Sequence, residues 1–264
     1  MGLVMLLGRH ISYSASPSMQ SAAFAALGLD HRYELADVAA DELPSAVAAL
    51  RKDDSLGANV TVPHKAAVLN LLDDVDQLAG RAGAVNTIVR HGQRLAGRNT
   101  DIPAIAEQIR ALRPQPRLVV VLGAGGAARG VRHALELVGT ELVTLVSRSG
   151  NGGSEPWERL PELLSEADLL VNATPVGTLS DESPVPARLL HEGLAVLDLV
   201  YRPSPTRLVR EARAAGAPAR GGAGVLLGQG WRSLEAWLGV SVPARARQAM
   251  AEALRAELGD EADV

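Results

Sequence analysis

The stretch LVVVLGAGGAA, residues 118–128, decides the fold of this chain. Its first five residues, Leu118–Leu122, predict a buried strand, because a short apolar run bounded by turn residues is typical of a parallel sheet. The glycines that follow predict a tight turn. Apolar residues then recur at helical spacing from Ala127, and Gly139 ends the helix. Strand, glycine turn and helix in this order indicate an open α/β sheet.

The rest of the chain alternates short apolar runs with helical patterns, which predicts further βαβ units. The turn His91-Gly92-Gln93 predicts one hairpin. The other predicted strands are Val4–Leu7, a segment around Tyr33, Ala58–Val62, Leu142–Val146, Leu169–Asn172 and Val196–Leu199. The first predicted helix is capped by Ser16, opened by Pro17 and ended by Gly28. The other predicted helices are Glu42–Leu50, Ile102–Leu112 and those from Gly222 to the end of the chain, the last of which Pro243 opens.

These elements predict two α/β domains. Residues 1–101 are expected to form the first, with a mostly parallel sheet, and C-terminal helices over residues 229–264 are expected to pack back on it. Residues 102–228, which contain the glycine turn, are expected to form a Rossmann-type domain.

The composition excludes several classes of function. The chain has 264 residues, of which 47% are hydrophobic and 21% charged, and this is the ordinary globular range. It has no cysteine, which excludes disulfides, thiolate metal sites and a cysteine nucleophile. A net charge of -4 argues against nucleic acid and anionic membranes as partners. The six histidines show no ligand spacing, so no metal site is predicted.

The N-terminal apolar run Leu3–Leu7 is too short for a signal peptide or a membrane span. The predicted location is cytoplasmic, and membranes are not among the predicted partners.

The glycine turn fits a dinucleotide fingerprint, Gly123-x-Gly125-x-x-Ala128. In that motif the first glycine permits the tight turn, the second lets the backbone approach a diphosphate, and a small third residue permits close packing of helix on strand. The diphosphate would rest on N–H groups at the helix N-terminus. The residues expected to contact it are Gly123, Ala124, Gly125, Gly126 and Ala127. The alternative is a glycine-rich turn in an alanine-rich protein.

The residues that distinguish NAD from NADP are expected at the end of the next strand. An NAD site usually offers an Asp or Glu there, but this chain has Ser147-Arg148-Ser149. A guanidinium flanked by hydroxyls suits a 2′-phosphate, because Arg makes forked, charge-assisted hydrogen bonds to phosphate oxygens. NADP is therefore the predicted cofactor. The alternative is an exposed Arg in a turn.

Polar clusters follow several apolar runs of the first domain, and such strand ends face the ligand crevice of an open sheet. Oxidation of an alcohol needs a group that accepts the hydroxyl proton. Lys65 can do this, with Asp101 as its partner. The alternative is that both are solvated surface charges. Hydroxyls and amides dominate these clusters, so they suit a small polyhydroxylated substrate.

Across nearly the whole chain the sequence resembles the shikimate dehydrogenase family. The motifs that carry the resemblance, in chain order, are Ser14-x-Ser16-Pro17, Asn59-Val60-Thr61-Val62-Pro63-His64-Lys65, Gly83-Ala84-Val85-Asn86-Thr87, Gly97-x-Asn99-Thr100-Asp101, the glycine turn, Asn172-Ala173-Thr174-Pro175, Asp198-Leu199-x-Tyr201-x-Pro203 and Gly222-x-Gly224-x-Leu226 with Gln229.

The resemblance implies the reversible NADP-dependent reduction of 3-dehydroshikimate to shikimate, a step of chorismate and aromatic amino acid biosynthesis. It implies that Lys65 transfers the proton, with Asp101 beside it, in a substrate-binding catalytic domain over 1–101, and that 102–228 binds NADP. The residues implied to bind the carboxylate and hydroxyls of the ring are Ser14, Ser16, Thr61, Lys65, Asn86, Asp101, Tyr201 and Gln229. Leu199 and Gly222 are implied to lie near the nicotinamide. The alternatives are that Tyr201 is only a strand-end residue, Gln229 only part of a polar helix face, and Gly222 only a turn residue.

The chain departs from the family pattern at a few positions. Where the family usually has Pro and His before the two serines, this chain has His10 and Tyr13, and the usual Met-His-Asn is Met19-Gln20-Ser21. Val225 replaces a Met, and no second basic residue follows Arg148. These changes surround the implied substrate and nicotinamide pockets.

A quinate or aminoshikimate dehydrogenase-like paralogue is therefore the main alternative. A non-catalytic NADP sensor is a lower-ranked one, because it would not need Lys65 or Asp101. As an assembly, a monomer or a homodimer is expected.

Overall fold

The computed structural model describes residues 2–52, 54–148, 150 and 153–264. The chain divides into two compact units. The first comprises Met1–Asp101 and Gln229–Glu257, and the second comprises Ile102–Gly228 and Leu258–Val264. Each carries its own six-stranded sheet.

The elements have the following bounds. The strands are β1 Gly2–Gly8, β2 His31–Asp37, β3 Ser55–Val60, β4 Asp74–Val75, β5 Thr87–His91, β6 Arg94–Arg98, β7 Leu118–Leu122, β8 Leu142–Ser147, β9 Glu155–Pro156, β10 Leu169–Asn172, β11 Ala195–Asp198 and β12 Ala219–Arg220. The helices are α1 Ser16–Ala26, α2 Leu43–Ala49, α3 Gln77–Ala82, α4 Asp101–Leu112, α5 Gly126–Val138, α6 Leu160–Glu166, α7 Arg207–Ala214, α8 Ala223–Leu238 and α9 Ala244–Leu258.

The sheet of the first unit has the strand order β2-β1-β3-β5-β6-β4. β1 is parallel to both of its neighbours, and β5 is antiparallel to both β3 and β6. The predicted hairpin is confirmed, since β5 and β6 pair from Thr87 with Arg98 to His91 with Arg94. The turn needs Gly92, whose φ of 62° lies in the left-handed region.

The sheet of the second unit is parallel throughout, with the order β9-β8-β7-β10-β11-β12. In sequence order within this unit the strands run 3-2-1-4-5-6, which is the doubly wound arrangement of dinucleotide-binding domains. The order reverses between β7 and β10, and ligands of such sheets bind outside the carboxyl ends of the strands at that point. The predicted α/β fold with a Rossmann-type unit is confirmed.

Each core lies where the sequence pattern places it. In the second unit β7, β10 and β11 carry fully buried Val and Leu, because helices cover both faces of a parallel sheet. In the first unit the largest fully buried side chains include Phe24, Leu50 and Ile88. Among the described residues, no helix is both long enough and apolar enough to cross a bilayer.

Two predictions about chain boundaries are corrected by the structure. Ser16 does not cap α1: it is the first residue of the helix, Pro17 is the second, and the cap position is Ala15, whose side chain cannot accept a hydrogen bond. Residues Leu258–Val264, expected with the first domain, belong to the second unit. The reason is that Asp263 accepts hydrogen bonds from Arg213 Nη2 at 2.5 Å and from the N–H of Gly221 at 2.8 Å.

The predicted strand Ala58–Val62 also lies earlier than expected, since β3 ends at Val60 and Val62 is 70% exposed.

Candidate active site

A lysine–carboxylate pair lies at the strand ends of the first unit. Lys65 follows β3, and Asp101 is the first residue of α4, where the positive end of the helix favours a carboxylate. Lys65 Nζ donates to Asp101 Oδ2 at 2.7 Å. Their side chains are 33% and 22% exposed, so the pair is reachable yet partly shielded from water. The two residues that the sequence predicted as catalytic are therefore in direct contact.

Asn86 completes the environment of this carboxylate. Its Nδ2 donates to Asp101 Oδ1 at 2.8 Å and to Thr100 Oγ1 at 2.9 Å. Each carboxylate oxygen of Asp101 thus holds one N–H donor of the protein and keeps acceptor capacity for a further one. The backbone supports the same geometry, because the N–H of Val85 donates to the carbonyl of Lys65 at 2.8 Å.

The other predicted substrate residues of this unit are distributed as follows. Gln229 is buried on α8, with its Oε1 3.5 Å from Asn86 Nδ2. Thr61 extends β3 beyond its end and donates its N–H to Leu7 O at 2.9 Å. Ser14 and Ser16 are joined by a hydrogen bond from the N–H of Ser16 to Ser14 Oγ at 3.3 Å. Ser16 is buried and Ser14 half-buried. The structure therefore brings Lys65, Asn86, Asp101 and Gln229 together and pairs the two serines.

The second unit contains the glycine turn. The N–H of Gly123 donates to Val146 O at 2.8 Å, which holds the turn against the end of β8. Gly123 has a φ of 109°, and a Cβ there would lie 3.2 Å from Ala173 O, so only glycine fits. Ala128 is fully buried, as the fingerprint requires of its small third residue.

The N-terminus of α5 is suited to an anion. The helix begins at Gly126, Gly125 is its cap residue, and no side chain caps it. The first N–H groups of a helix have no partner within the helix, so they are available to a diphosphate. A Cβ built on Gly125 meets no atom within 4 Å, so the space before the turn is open. These residues fit the diphosphate of a dinucleotide.

The end of β8 carries the groups expected to choose the cofactor. Arg148 is exposed directly after this strand, and Ser147 Oγ lies 2.7 Å from Ser154 Oγ. Ser147 and Arg148 include no acidic side chain that would repel a 2′-phosphate. Ser149, the third predicted member, lies outside the described residues.

The turn after β11 brings two further predicted residues into contact. A Cβ on Gly222 would lie 2.7 Å from the carbonyl carbon of Leu199, so this close approach requires glycine. The N–H of Gly222 donates to Val200 O at 3.0 Å. Tyr201 follows in the same loop of the second unit, three residues past the end of β11.

A buried carboxyl, for which the sequence predicted no role, supports this turn. Asp198 accepts hydrogen bonds from Asn172 Nδ2 at 2.8 Å, Val200 N at 3.0 Å and Thr206 Oγ1 at 2.7 Å. Burial raises its pKa to about 6, although these three donors favour the ionised form. The sequence did contain a signal for this pair, because two neighbouring strands each end in a short polar residue, Asn172 and Asp198.

Among the described residues, no group of three or more acidic or histidine side chains is arranged to hold a metal ion.

Comparison with known proteins gives this geometry a context. The model of the shikimate dehydrogenase substrate binding domain matches residues 6–88. The NADP(+) shikimate dehydrogenase of Natronomonas pharaonis is 42% identical, over 96% of this chain and 98% of the relative. The chain belongs to the shikimate dehydrogenase family.

Solved structures resemble nearly the whole chain. The shikimate 5-dehydrogenase of Thermus thermophilus, in complex with NADP(H) and shikimate, is 37% identical with a TM-score of 0.88, over 98% of this chain and 100% of that one. A 5-ketofructose reductase of Gluconobacter sp. strain CHM43 has the same fold at 30% identity and a TM-score of 0.85, over 97% of this chain and 98% of that one. The fold thus also occurs in a protein named for another keto substrate.

Proposed function

We propose that this chain is an NADP-dependent shikimate dehydrogenase that reduces 3-dehydroshikimate to shikimate reversibly, with Lys65 as the proton-transfer residue. The observation that carries the proposal is the contact between Lys65 Nζ and Asp101 Oδ2 at 2.7 Å, with Asn86 on the other carboxylate oxygen. Family membership supports the substrate and the cofactor.

The chemistry divides between the two units. When bound, NADP supplies the acceptor of the hydride that leaves the carbinol carbon of the substrate. Lys65, as the free amine, accepts the proton of the same hydroxyl, and as ammonium it returns that proton during reduction. Asp101 holds the lysine nitrogen and accepts a hydrogen bond from a substrate hydroxyl. The proposed ring contacts are Ser14, Ser16, Thr61, Asn86, Tyr201 and Gln229.

The basic residues of the chain support a proton-transfer role for Lys65. Only two of the 26 basic residues are lysines, Lys52 and Lys65; the others are arginines. A buried or paired cation elsewhere in this chain is therefore normally an arginine, which is never deprotonated in proteins. A lysine at the pair with Asp101 keeps the one property that an arginine lacks.

Cofactor contacts are proposed at the glycine turn, at Arg148 for the 2′-phosphate, and at Leu199 and Gly222 for the nicotinamide side. The fit of the uncapped α5 N-terminus and the open space before Gly125 supports this placement. Arg148 supports NADP over NAD, because a guanidinium pairs with phosphate oxygens.

The test measures reduced nicotinamide by its absorbance, with shikimate, quinate, aminoshikimate and a reducible ketosugar, each with the phosphorylated and the unphosphorylated cofactor. The proposal requires the highest kcat/KM for shikimate with NADP. A preference for quinate or aminoshikimate would show that the chain is the quinate or aminoshikimate dehydrogenase-like paralogue. Turnover of the ketosugar alone would show that it is a reductase like that of Gluconobacter. If the chain binds NADP but turns over none of these compounds, the non-catalytic sensor is the remaining interpretation.

Three lysine variants test the proton transfer. Lys65→Ala is expected to lower kcat by about a hundredfold or more, the scale of a lost general acid or base. Lys65→Arg is expected to lose as much, because arginine keeps the ion pair with Asp101 but cannot release its proton. Lys52→Ala, at the exposed second lysine, is the matched control and should retain turnover. An active Lys65→Arg enzyme would show that the residue serves only as a cation.

The cytoplasmic location and the monomeric or homodimeric state stay predictions.

A further inference from the structure

A buried network of polar side chains lies behind the Lys65–Asp101 pair in the first unit. Every member is at most 6% exposed. The members are Tyr33, Asn59, Asn86, Thr87, Thr100 and Ser233. Only Asn86 has a role in the proposed function. Burying so many polar groups costs free energy unless every one is hydrogen-bonded, and a fully bonded network rigidifies what it contacts.

The two amides of this network have fixed orientations. Asn59 Nδ2 lies 3.0 Å from the carbonyl of Asn86, which can only accept, so its Oδ1 faces Tyr33 OH, the donor at 2.8 Å. The N–H of Thr100 can only donate, and it donates to Asn86 Oδ1 at 2.7 Å. Asn86 Nδ2 is thereby turned toward Asp101. Neither amide can flip without losing bonds to backbone groups.

Ser233 joins the network to α8. Its Oγ accepts from Asn59 Nδ2 at 3.0 Å and lies 2.8 Å from Thr87 Oγ1. It also lies 3.1 Å from Thr100 Oγ1 and donates to the carbonyl of Gln229 at 3.0 Å. Ser233 follows Gln229 by one helical turn, so its hydroxyl ties this part of the helix to β3 and β5.

We propose that Ser233 is a positioning residue for the reaction. Its hydroxyl contacts those of Thr87 and Thr100, which both bond the Asn86 amide, and in this way it fixes the amide that holds the Asp101 carboxylate. It also holds Gln229 at the same site. The inference rests on the proposed function for the roles of Asp101 and Gln229. Ser233 is fully buried and acts only through these neighbours. The competing explanation is that the hydroxyl only satisfies its own burial, in which case its loss lowers stability and leaves the kinetics unchanged.

The experiment compares four variants of the full chain. Ser233→Ala deletes the central hydroxyl, and Ser55→Ala is the matched control, because Ser55 is also buried in the first unit but its Oγ has no hydrogen-bond partner. Thr87→Val removes a second hydroxyl of the network at nearly constant shape, and Thr87→Ser restores it. Each is assayed well below its melting temperature with the best substrate of the wild-type chain.

Ser233→Ala and Thr87→Val are expected to lower kcat by about tenfold or more, since a small misplacement of a catalytic group costs rate on that scale. NADP affinity should be unchanged, because the glycine turn belongs to the second unit. Thr87→Ser should regain most of the kcat that Thr87→Val loses, and Ser55→Ala should match the wild type. A kcat and KM for Ser233→Ala equal to those of Ser55→Ala would overturn the proposal, even if the variant melts earlier.

Failure of the proposed function is distinguishable from failure of this inference. If the wild-type chain turns over no substrate, the side-chain amide signals of Asn59 and Asn86 in NMR spectra decide. The inference requires that both amides exchange slowly in the wild type and in Ser55→Ala, and rapidly in Ser233→Ala. Slow exchange in Ser233→Ala would show that Ser233 does not fix them.

Discussion

Replacing Asp198 by Asn removes a titrating carboxyl from the interior of the second unit while keeping its shape. Asp198 is 1% exposed at the end of β11 and accepts hydrogen bonds from Asn172, Val200 and Thr206. Burial disfavours the charged form more than these three donors favour it, and the pKa rises from 3.8 to about 6. The folded chain therefore binds this proton more tightly than the unfolded chain does.

The sign of the pH dependence follows from linkage. A raised folded pKa contributes stability that is fully present below pH 3.8 and is lost as the pH rises through about 6. The difference between the two values corresponds to about 3 kcal/mol of unfolding free energy. Asp198→Asn does not titrate, so its stability relative to the wild type is expected to increase with pH, by about 2 kcal/mol between about pH 4 and pH 7. Any constant cost of the altered hydrogen bonds cancels from this slope.

The assay is urea unfolding followed by circular dichroism at a series of pH values for both proteins. Asp168→Asn in the same unit is the control. Burial would raise the pKa of Asp168, but hydrogen bonds from the N–H groups of Arg117 and Leu118 outweigh it and lower the pKa. The stability that this carboxylate contributes is present above its unfolded pKa of 3.8 and is lost as the pH falls through the lower folded value.

The control difference should therefore change only below about pH 4. The reasoning would be refuted if the difference in unfolding free energy between Asp198→Asn and the wild type stayed constant from about pH 4 to pH 7. Asp198 would then have the same pKa in the folded and the unfolded chain.

Two further predictions concern ligand contacts. Arg148→Ala is expected to weaken NADP by about 1–3 kcal/mol, the scale of a lost charge-assisted hydrogen bond, and to leave NAD nearly untouched; equal weakening of both, measured by titration calorimetry, would show that Arg148 does not bind the 2′-phosphate. Ser14→Ala is expected to raise KM for the ring acid with little change in kcat, because a carboxylate contact is present in ground and transition states alike; an unchanged KM with a lower melting temperature would leave Ser14 only its hydrogen bond from Ser16 N.

The sequence predicted best where the signal is local. Leu118–Leu122 and Leu169–Asn172 form strands with the predicted bounds, because a run of buried apolar residues between turn residues has few other solutions. The end of α5 at Gly139 was equally accessible, since its φ of 87° suits glycine. Helix α7 could have been predicted as well: Thr206 caps it by accepting from Val209 N, a standard N-terminal signal.

The predictions that failed or were missing depend on contacts between distant parts of the chain. Ser233 meets Asn59 across 174 residues, and no periodicity in either segment reports that contact. The C-terminal segment belongs to the second unit because Asp263 pairs with Arg213. At α1 the failure was one residue: with Pro17 in the second position, Ser14 rather than Ser16 accepts the N–H at the start of the helix. The contact between Lys65 and Asp101 could be predicted because each lies in a family motif, and such motifs carry tertiary information that a local pattern lacks.

Gln20, one of the departures from the family pattern, and its neighbour Met19 both contact α8 beside Gln229. Gln20 is fully buried, and its Nε2 donates to the carbonyl of Gly230 at 2.9 Å, directly after Gln229. Met19 packs so closely on Gly230 that a Cβ there would lie 3.1 Å from its Sδ. Neither side chain needs to touch a ligand to matter. Because both contact the residue next to Gln229, we expect them to influence where its amide lies, and under the proposed function this would affect which ring hydroxyl it can bind. If Gln229 binds the ring as proposed, Gln20→His, which brings back the usual family residue, is expected to change the ratio of kcat/KM for shikimate to that for quinate; an unchanged ratio would show that Gln20 does not act on substrate choice.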